Sequence, residues 1–488
     1  MDSGRLEEVL GVDVPPGVEV TGVTHDSRAV RPGSAFVAVS GFRHDGTEFA
    51  EEALGRGAAL VVAEKKISMG PSVVVPDARG VLADLACAVF GDPSEKLEVY
   101  GVTGTNGKTT TSYALYSILA QTYGAEACGL MTTAETVYAG ERRPAGRTTP
   151  EATEVQETLS EMLEKGVRKV VMEVSSHGIA LKRVAGTQFA GALFTNLTRD
   201  HLDLHGSMEE YYETKRKLLH IAGGPKLSNA EDPWGRRLAG EVADVETFGE
   251  WENADYRVEE VQYSPEGTAF LLRYPGGILQ IESPLLGGYN VLNVAGAAAL
   301  ALATGVEASA VGEAARRMPQ VPGRFERVES AREFEVVVDY AHTDVGLAAV
   351  LAVAREVVSG AESNGNGGRV ICVFGAAGDR DGAKRPLMGR AAAELADRSI
   401  VTTDDAYSEA PAKIAREVAA GADPGKTEIL LDRRDAIRSA LQEAEPGDVV
   451  VIAGKGHEQV QHLPDGDVPF HDASVVRELL NELGKREG

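Results

Sequence analysis

Cysteine is scarce: Cys87, Cys128 and Cys372 are the only three in 488 residues. They lie far apart and form no CxxC pair, which argues against a disulfide framework or a structural zinc site. Long apolar runs are missing too. None approaches the ~20 residues that cross a bilayer, so no membrane insertion is expected. The opening Met1-Asp2-Ser3-Gly4-Arg5 lacks the basic segment and apolar stretch of a secretory signal. A reduced, cytoplasmic setting is the expectation. Positive charge is in deficit, with 49 Lys and Arg against 74 Asp and Glu, a net charge of −25. A field of that sign repels phosphate, so nucleic acid is not an expected partner. Any nucleotide must be held by a local positive site.

What is present describes a globular protein: 43% hydrophobic residues and 25% charged ones. The length exceeds one ordinary core and implies several domains. Residues 1–97 carry short β-rich runs, including Val18–Val23, Ala35–Val39 and Ala59–Ala63. Across 98–325, apolar strands such as Val170–Val174 and Ala192–Thr195 alternate with helical patterns. That alternation predicts a mostly parallel α/β sheet. A third α/β block, 326–488, has strands at Glu335–Asp339, Val370–Phe374 and Val449–Ala453, with alanine-rich helices such as Arg390–Ala396 between them. Surface loops are expected at Ser363–Gly368 and at Gly223–Asp232. No repeat of solenoid period is found.

The strongest local signal is Gly101-Val102-Thr103-Gly104-Thr105-Asn106-Gly107-Lys108-Thr109-Thr110-Thr111. A strand enters a glycine-rich turn and a helix leaves it. Such a turn lets backbone N–H groups close on phosphate oxygens, and the helix N-terminus adds positive charge. Gly104, Thr105, Asn106, Gly107 and Lys108 form the phosphate cradle of an ATP or GTP site, with Thr109 or Thr110 reaching Mg²⁺. The strict GxxxxGK[ST] spacing needs glycine where Val102 stands, so the loop is a variant.

That variant resembles the nucleotide loop of the Mur ligase family, and the resemblance runs over nearly the whole chain. Its further marks are Glu173-Val174-Ser175-Ser176-His177-Gly178, Thr195 to Asp203, Lys215, Asn290 with Asn293, Gly323-Arg324 and Asp339-Tyr340-Ala341-His342. Asp26-Ser27-Arg28, Phe374 to Asp381, Lys384 to Gly389 and Ala453 to Glu458 are similar to the branch that adds the third residue of the muramoyl peptide. The resemblance implies three α/β domains: a UDP-muramoyl-binding domain (1–97), a central P-loop ATPase with a parallel sheet (98–325), and a Rossmann-like amino-acid-binding domain (326–488). A monomer is expected.

The roles it implies are as follows. Glu173, His201 and a carbamylated Lys215 join Thr109 as Mg²⁺ ligands, and Lys108, Lys215, His201 and Glu173 form the catalytic set. From composition alone Lys215 lies on an ordinary charged helix face. His201 and His205 are spaced to share one side of a helix, without the closed ligand set that zinc takes. Asn229, Asp232, Asn290, Arg324 and Asp339 complete the ATP site, with His342 beside it. His25, Ser27, Phe42, Arg43, His44, Thr148, Thr149, Ser175 and Arg183 bind the UDP-muramoyl dipeptide. Leu181 and Arg147 depart from the glutamine and asparagine that some members carry. Arg380, Asp404, Asp405, Tyr407, Gly454 and Glu458 hold the incoming amino acid. His457-Glu458 with His462 misses the HExxH spacing by one residue, which rules out a zinc protease of that type.

The activity implied is ATP-dependent ligation. The γ-phosphate passes to the D-glutamate side-chain carboxylate of UDP-N-acetylmuramoyl-L-alanyl-D-glutamate, and a diamino acid attacks the acyl phosphate. Members using meso-diaminopimelate carry a DNPR motif; here the stretch is Asp404-Asp405-Ala406-Tyr407. A phenol cannot make the paired bond of a guanidinium with a carboxylate, so L-lysine is expected before meso-diaminopimelate. Arg385 or Arg390 taking over the missing grip would restore meso-diaminopimelate. A folylpolyglutamate synthetase-like ligase and a non-ligase P-loop switch are the competing readings. The Asp26–Ala38 and Lys384–Gly389 blocks argue against the first, and the displaced Gly101 against the second.

Overall fold

The computed structural model describes residues 1–41, 44–264, 266–362 and 367–487. Phe42, Arg43 and the Ser363–Asn366 part of the expected loop lie outside the described residues. The chain divides into two compact units. One comprises Met1–Arg257 with Arg273–Gly277 and Ala295–Ala314; the other comprises Val258–Leu272, Ile278–Val294 and Ala315–Gly488. No described helix is long and apolar enough to cross a membrane.

The first unit opens with four parallel strands, β1 (Gly22–Thr24), β2 (Ser34–Ala38), β3 (Leu60–Ala63) and β4 (Ser72–Val74), in that spatial order. β2 and β3 are buried at every position, as strands covered on both faces must be. The Val18–Val23 run is strand only from Gly22; Val18 and Val20 are buried as an extended approach to it.

Its second sheet is built on β5 (Glu98–Thr103), β6 (Cys128–Met131), β7 (Glu135–Tyr138), β8 (Glu141–Pro144), β9 (Lys169–Glu173), β10 (Phe189–Phe194), β11 (Lys226–Asn229) and β12 (Val245–Gly249). The spatial order is β12-β11-β10-β5-β9-β6, all parallel, with β7 and β8 added as antiparallel hairpin strands. β5 therefore lies in the interior, and the loop that follows it emerges between the ends of β9 and β10. Ligands of open parallel sheets bind at such strand ends. The stretch expected as a loop at Gly223–Asp232 contains β11, whose Leu227, Ser228 and Asn229 are buried. Its polar side chains are paired internally: Ser228 donates to the Gly235 carbonyl at 2.8 Å, and Asn229 to that of Thr195 at 2.8 Å.

In the second unit the β-strands β13 (Tyr256–Ser264), β14 (Gly267–Tyr274) and β15 (Gly277–Ser283) come first, the start of β13 and the end of β14 belonging to the other unit. Then follow β16 (Glu326–Val328), β17 (Glu335–Asp339), β18 (Val370–Phe374), β19 (Arg398–Val401), β20 (Thr427–Ile429) and β21 (Val449–Ala453). These six form one sheet in the order β16-β17-β21-β18-β19-β20, parallel except for β16. Val336, Val337, Val338, Val370–Phe374 and Val449–Ala453 are fully buried, as their unbroken apolar pattern requires. The C-terminal ends of β17, β18, β19 and β21 precede Tyr340, Arg380, Asp404 and Lys455 respectively.

Candidate functional site

The phosphate loop connects β5 to the helix Lys108–Tyr123. Gly104 has φ +149°, and a Cβ there would lie 1.9 Å from Thr195 Oγ1, so no other residue fits. Gly107, at φ 81°, turns the chain into the helix. The segment after β10 braces the turn. Thr105 N–H donates to the Asn196 carbonyl at 2.8 Å, Asn106 N–H to Asn196 Oδ1 at 2.9 Å, and Thr195 Oγ1 to the Asn106 carbonyl at 2.6 Å. Gly101 belongs to β5, and a Cβ there would crowd the Phe189 ring and Leu218 at 3.0 and 3.1 Å. It is a packing glycine of the strand, which accounts for the irregular motif spacing.

Three charged side chains converge beneath this loop. Glu173 ends β9 with 1% of its surface exposed. Its Oε2 accepts from Thr109 Oγ1 at 3.0 Å and from the Thr133 N–H at 3.1 Å, and Oε1 is 3.8 Å from Lys108 Nζ. Lys108 Nζ also donates to the Thr105 carbonyl at 2.8 Å. The helix Met208–Ile221 delivers Lys215, which is 1% exposed and donates to the Gly104 carbonyl at 2.5 Å. The charged-face expectation for Lys215 is therefore corrected. Tyr211, Lys215, Leu218 and Leu219 share the buried side of the helix, as i, i+4, i+7, i+8 spacing dictates. Burial without a carboxylate partner, reinforced by nearby Lys108, holds the Lys215 amine well below the usual lysine range.

His201 does not sit on a helix with His205. It precedes the short helix Leu202–His205 in a left-handed conformation (φ 51°), with Nε2 3.4 Å from Asp200 Oδ2. His205 is buried and stacks on Tyr211 at 4.9 Å. Both rings still meet His177, at 4.7 and 6.2 Å between centroids. Motif reading gave no role to His177, Asn196 or Thr133, whose parts emerge only when β9 and β10 flank β5.

Asn229 and Asp232 stand behind the loop brace. Asp232 accepts from the N–H groups of Leu197, Trp234 and Gly235 at 3.2, 2.9 and 3.1 Å, capping the helix Pro233–Glu241. Burial raises its carboxyl above the usual range.

The residues of this unit expected to bind the acceptor fall into two groups. Ser27 Oγ donates to Glu52 at 2.8 Å, His25 Nδ1 is buried without a hydrogen-bond partner, and His44 is exposed 3.8 Å from Glu48. Thr148, Thr149, Ser175 and Arg183 are contiguous with Glu173. Thr148 Oγ1 donates to Thr133 Oγ1 at 3.0 Å, Thr149 and Ser175 hydroxyls are 3.1 Å apart, and Thr149 Oγ1 donates to the Glu173 carbonyl at 3.1 Å.

In the second unit, buried Asp339 accepts from the Phe325 and Ala341 N–H groups, both at 2.7 Å, and burial raises its carboxyl while Arg324 opposes the rise. Arg324 lies over the Tyr340 ring at 4.6 Å. Asn290 donates to the Leu286 carbonyl at 2.7 Å and accepts from Asn293 at 3.0 Å. His342 Nδ1 is 2.9 Å from the Tyr340 carbonyl oxygen, and Lys384 Nζ donates to the His342 carbonyl at 2.9 Å. Beside them, Lys455 Nζ meets Asp405 at 2.7 Å and Glu458 at 2.9 Å. Asp404 Oδ2 is buried with no hydrogen-bond partner, and Gly454 is the only residue that fits against it, because a Cβ would come within 2.2 Å. Tyr407 (φ 48°) donates its N–H to the His462 carbonyl at 3.0 Å and stacks on that ring at 5.3 Å, with Arg380 5.4 Å from its own ring centre. Arg385 is buried; its two terminal nitrogens are engaged by Glu409, Glu417 and the Ala377 carbonyl, and its Nε has no hydrogen-bond partner.

A phosphate loop at an interior strand, a buried carboxylate and lysine beneath it, and a separate carboxylate-rich cluster on a second parallel sheet define a nucleotide-dependent enzyme of the P-loop class. Comparison with known proteins makes this specific. The Mur ligase middle domain profile matches residues 102–301, the Mur ligase glutamate ligase domain 323–456, and the Mur ligase family catalytic domain 19–90. The UDP-N-acetylmuramoyl-L-alanyl-D-glutamate–2,6-diaminopimelate ligase of Gloeobacter violaceus is 42% identical, with 100% of both chains covered. The protein of the same name from Solibacter usitatus is 43% identical over 96% of this chain and 94% of its own. A solved structure of a ligase of that name is 31% identical with a TM-score of 0.68, covering 98% and 99% of the two chains. The fold is shared with a Mycobacterium tuberculosis folylpolyglutamate synthase bound to ADP, at 18% identity, TM-score 0.63, and 82% and 94% coverage. The chain belongs to the Mur ligase family, and it is an ATP-dependent ligase that forms amide bonds.

Proposed function

We propose that this ligase extends UDP-N-acetylmuramoyl-L-alanyl-D-glutamate by one diamino acid, with L-lysine as the preferred residue. The ATP γ-phosphoryl group passes to the D-glutamate side-chain carboxylate, giving an acyl phosphate and ADP. The amine then attacks the carbonyl carbon, phosphate leaves, and the nitrogen loses a proton. Such chemistry needs positioning and charge neutralisation more than a protein nucleophile. Lys108 and the loop N–H groups serve the phosphates, and Thr148, Thr149, Ser175 and Arg183 hold the acceptor next to them. Asn229, Asp232, Asn290, Arg324 and Asp339 are assigned to the nucleotide, the first two by bracing the loop.

The donor set suits magnesium. Among the described residues no group of three His, Cys, Asp or Glu side chains could hold a metal unaided. Magnesium is commonly held by one or two carboxylates together with substrate phosphates. Thr109, Glu173, His201 and a carbamylated Lys215 would hold it, and when bound it would neutralise phosphate charge. A neutral amine is the form that adds CO2, and the environment of Lys215 favours that form. The added carboxylate would replace a buried cation by an anion.

The observation that carries the amino-acid assignment is the excess of carboxylates around Lys455. Asp404, Asp405 and Glu458 face one lysine there, and the Asp404 oxygen is unpartnered. That cluster suits an ammonium. Tyr407 offers no paired donor for a second carboxylate, and Arg385 is already committed to Glu409 and Glu417. The second reading, meso-diaminopimelate, is favoured by the names of the relatives. Turnover of purified enzyme with ATP, the UDP-muramoyl dipeptide and each diamino acid decides between them. A much higher kcat/KM for meso-diaminopimelate would overturn the lysine assignment, and no product with either would overturn the acceptor.

A further inference from the structure

Gln461 and His462 sit on a hairpin that the carboxylate-rich cluster holds in place. β22 (Val460–Leu463) and β23 (Gly466–Pro469) form a two-stranded antiparallel sheet of their own. Leu463-Pro464-Asp465-Gly466 joins them, with proline and glycine in the second and fourth positions that a tight turn favours. Two strands alone are marginally stable, so the hairpin depends on what it touches. Alternation along β22 sends Gln461 and His462 to opposite faces. Gln461 is buried and donates to the Thr403 and Asp404 carbonyls at 3.1 and 3.3 Å. The His462 N–H donates to Asp405 Oδ1 at 2.9 Å, and the Tyr407 N–H donates back to the His462 carbonyl at 3.0 Å. The hairpin and the loop from Thr403 to Tyr407 are therefore one hydrogen-bonded piece.

His462 pairs in register with Asp467 across the hairpin, and its Nδ1 lies 2.7 Å from Asp467 Oδ1. An ionised carboxylate only accepts, so Nδ1 carries the hydrogen and the ring orientation is fixed. In that orientation the imidazole lies 5.3 Å from the Tyr407 ring, with 11° between the planes. Tyr407 holds φ 48°, a left-handed conformation that a bulky side chain rarely adopts. Strain of this kind persists only where surrounding contacts over-determine it. Here those contacts are the backbone bond to His462, the ring stack, and Arg380, whose guanidinium carbon lies 5.4 Å from the Tyr407 ring centre.

We propose that His462, oriented by Asp467, is a positioning residue that pins the Tyr407 ring at the far end of the amino-acid site and so sets which diamino acid is taken. L-Lysine and meso-diaminopimelate differ by one carboxylate at that end. A pinned ring disfavours the second carboxylate by occupied volume. Asp405, bonded to the backbone of His462, and Asp467, bonded to its ring, disfavour it by like charge. Selectivity of this sort comes from a repulsive element as much as from an attractive one. The inference rests on the lysine assignment above and adds His462 and Asp467 to it.

Steady-state kinetics of the full chain with L-lysine and with meso-diaminopimelate test it, with ATP and the UDP-muramoyl dipeptide saturating. His462→Ala should lower the ratio of kcat/KM for L-lysine over meso-diaminopimelate about fivefold, the scale of one lost aromatic contact. The change should lie in the amino-acid KM, with kcat and the KM for ATP as in the wild type. His462→Phe keeps a ring against Tyr407 and should restore most of the ratio. In a Tyr407→Ala background, His462→Ala should change the ratio no further, because the two rings act as one unit. Multiplying effects in that double variant would overturn the proposal, as would a His462→Phe enzyme no better than His462→Ala. Equal losses for both amino acids with a lower Tm would reduce the stack to a structural tie and overturn it too. A wild type that prefers meso-diaminopimelate removes the lysine reading; a ratio that then still depends on His462 only when Tyr407 is present keeps the positioning role. A wild type that prefers L-lysine, with a silent His462→Ala, removes this assignment alone.

Discussion

Arg433 and Asp472 form a two-point ion pair, at 2.8 and 2.7 Å, in which both side chains are completely buried. Arg433 also donates to the Ala453 carbonyl at 3.0 Å, at the end of the strand that leads into Gly454 and Lys455. The pair therefore supports the strand end that carries the carboxylate-rich cluster. Removing one partner leaves an uncompensated buried charge. Asp472→Asn should lower the unfolding free energy by about 3–5 kcal/mol in a urea titration. The double change Arg433→Met with Asp472→Leu should recover much of that loss. A single variant as stable as the wild type would show that the pair contributes little.

Lys108→Ala should fold normally and lose ligation by roughly 10²–10³ in rate, the cost of removing one charge-stabilising donor. Circular dichroism and phosphate release report the two properties separately. Near-normal turnover in a folded variant would take this lysine out of the mechanism.

Lys215→Ala should be nearly inactive, with partial return of activity when short-chain carboxylic acids are added to the buffer. An added carboxylate would occupy the place proposed for the carbamate. A fully active variant, or one indifferent to carboxylates, would remove the carbamate from the site.

Tyr407→Arg should shift preference toward meso-diaminopimelate, because a guanidinium restores paired donors for its second carboxylate. The ratio of kcat/KM values for the two diamino acids is the readout. An unchanged ratio would mean that Tyr407 does not select the amino acid.

Much of this site can be read from residue order. The glycine-rich turn, the Val170–Val174 strand with Glu173 inside it, and the three apolar strands of the second unit are strong local patterns. The burial of Lys215 is hidden because Glu213, Arg216 and Lys217 surround it in sequence, while the apolar spacing that buries it spans two helical turns. β11 is hidden for a related reason. Lys226-Leu227-Ser228-Asn229 is short and polar, and it becomes a strand only because β10 and β12 flank it.

The position of β5 also constrains how the protein can be made. The strand that feeds the phosphate loop is the first of its sheet to leave the ribosome, but its neighbours are Lys169–Glu173 and Phe189–Phe194. Parallel pairing of this kind cannot close locally and folds slowly. Until the segment after β10 has been synthesised, the turn lacks Asn196 and Thr195, the residues that hold it open for phosphate. A nascent chain shorter than this carries the complete glycine motif without a usable nucleotide site, and its unpaired strand is a place for chaperones to act.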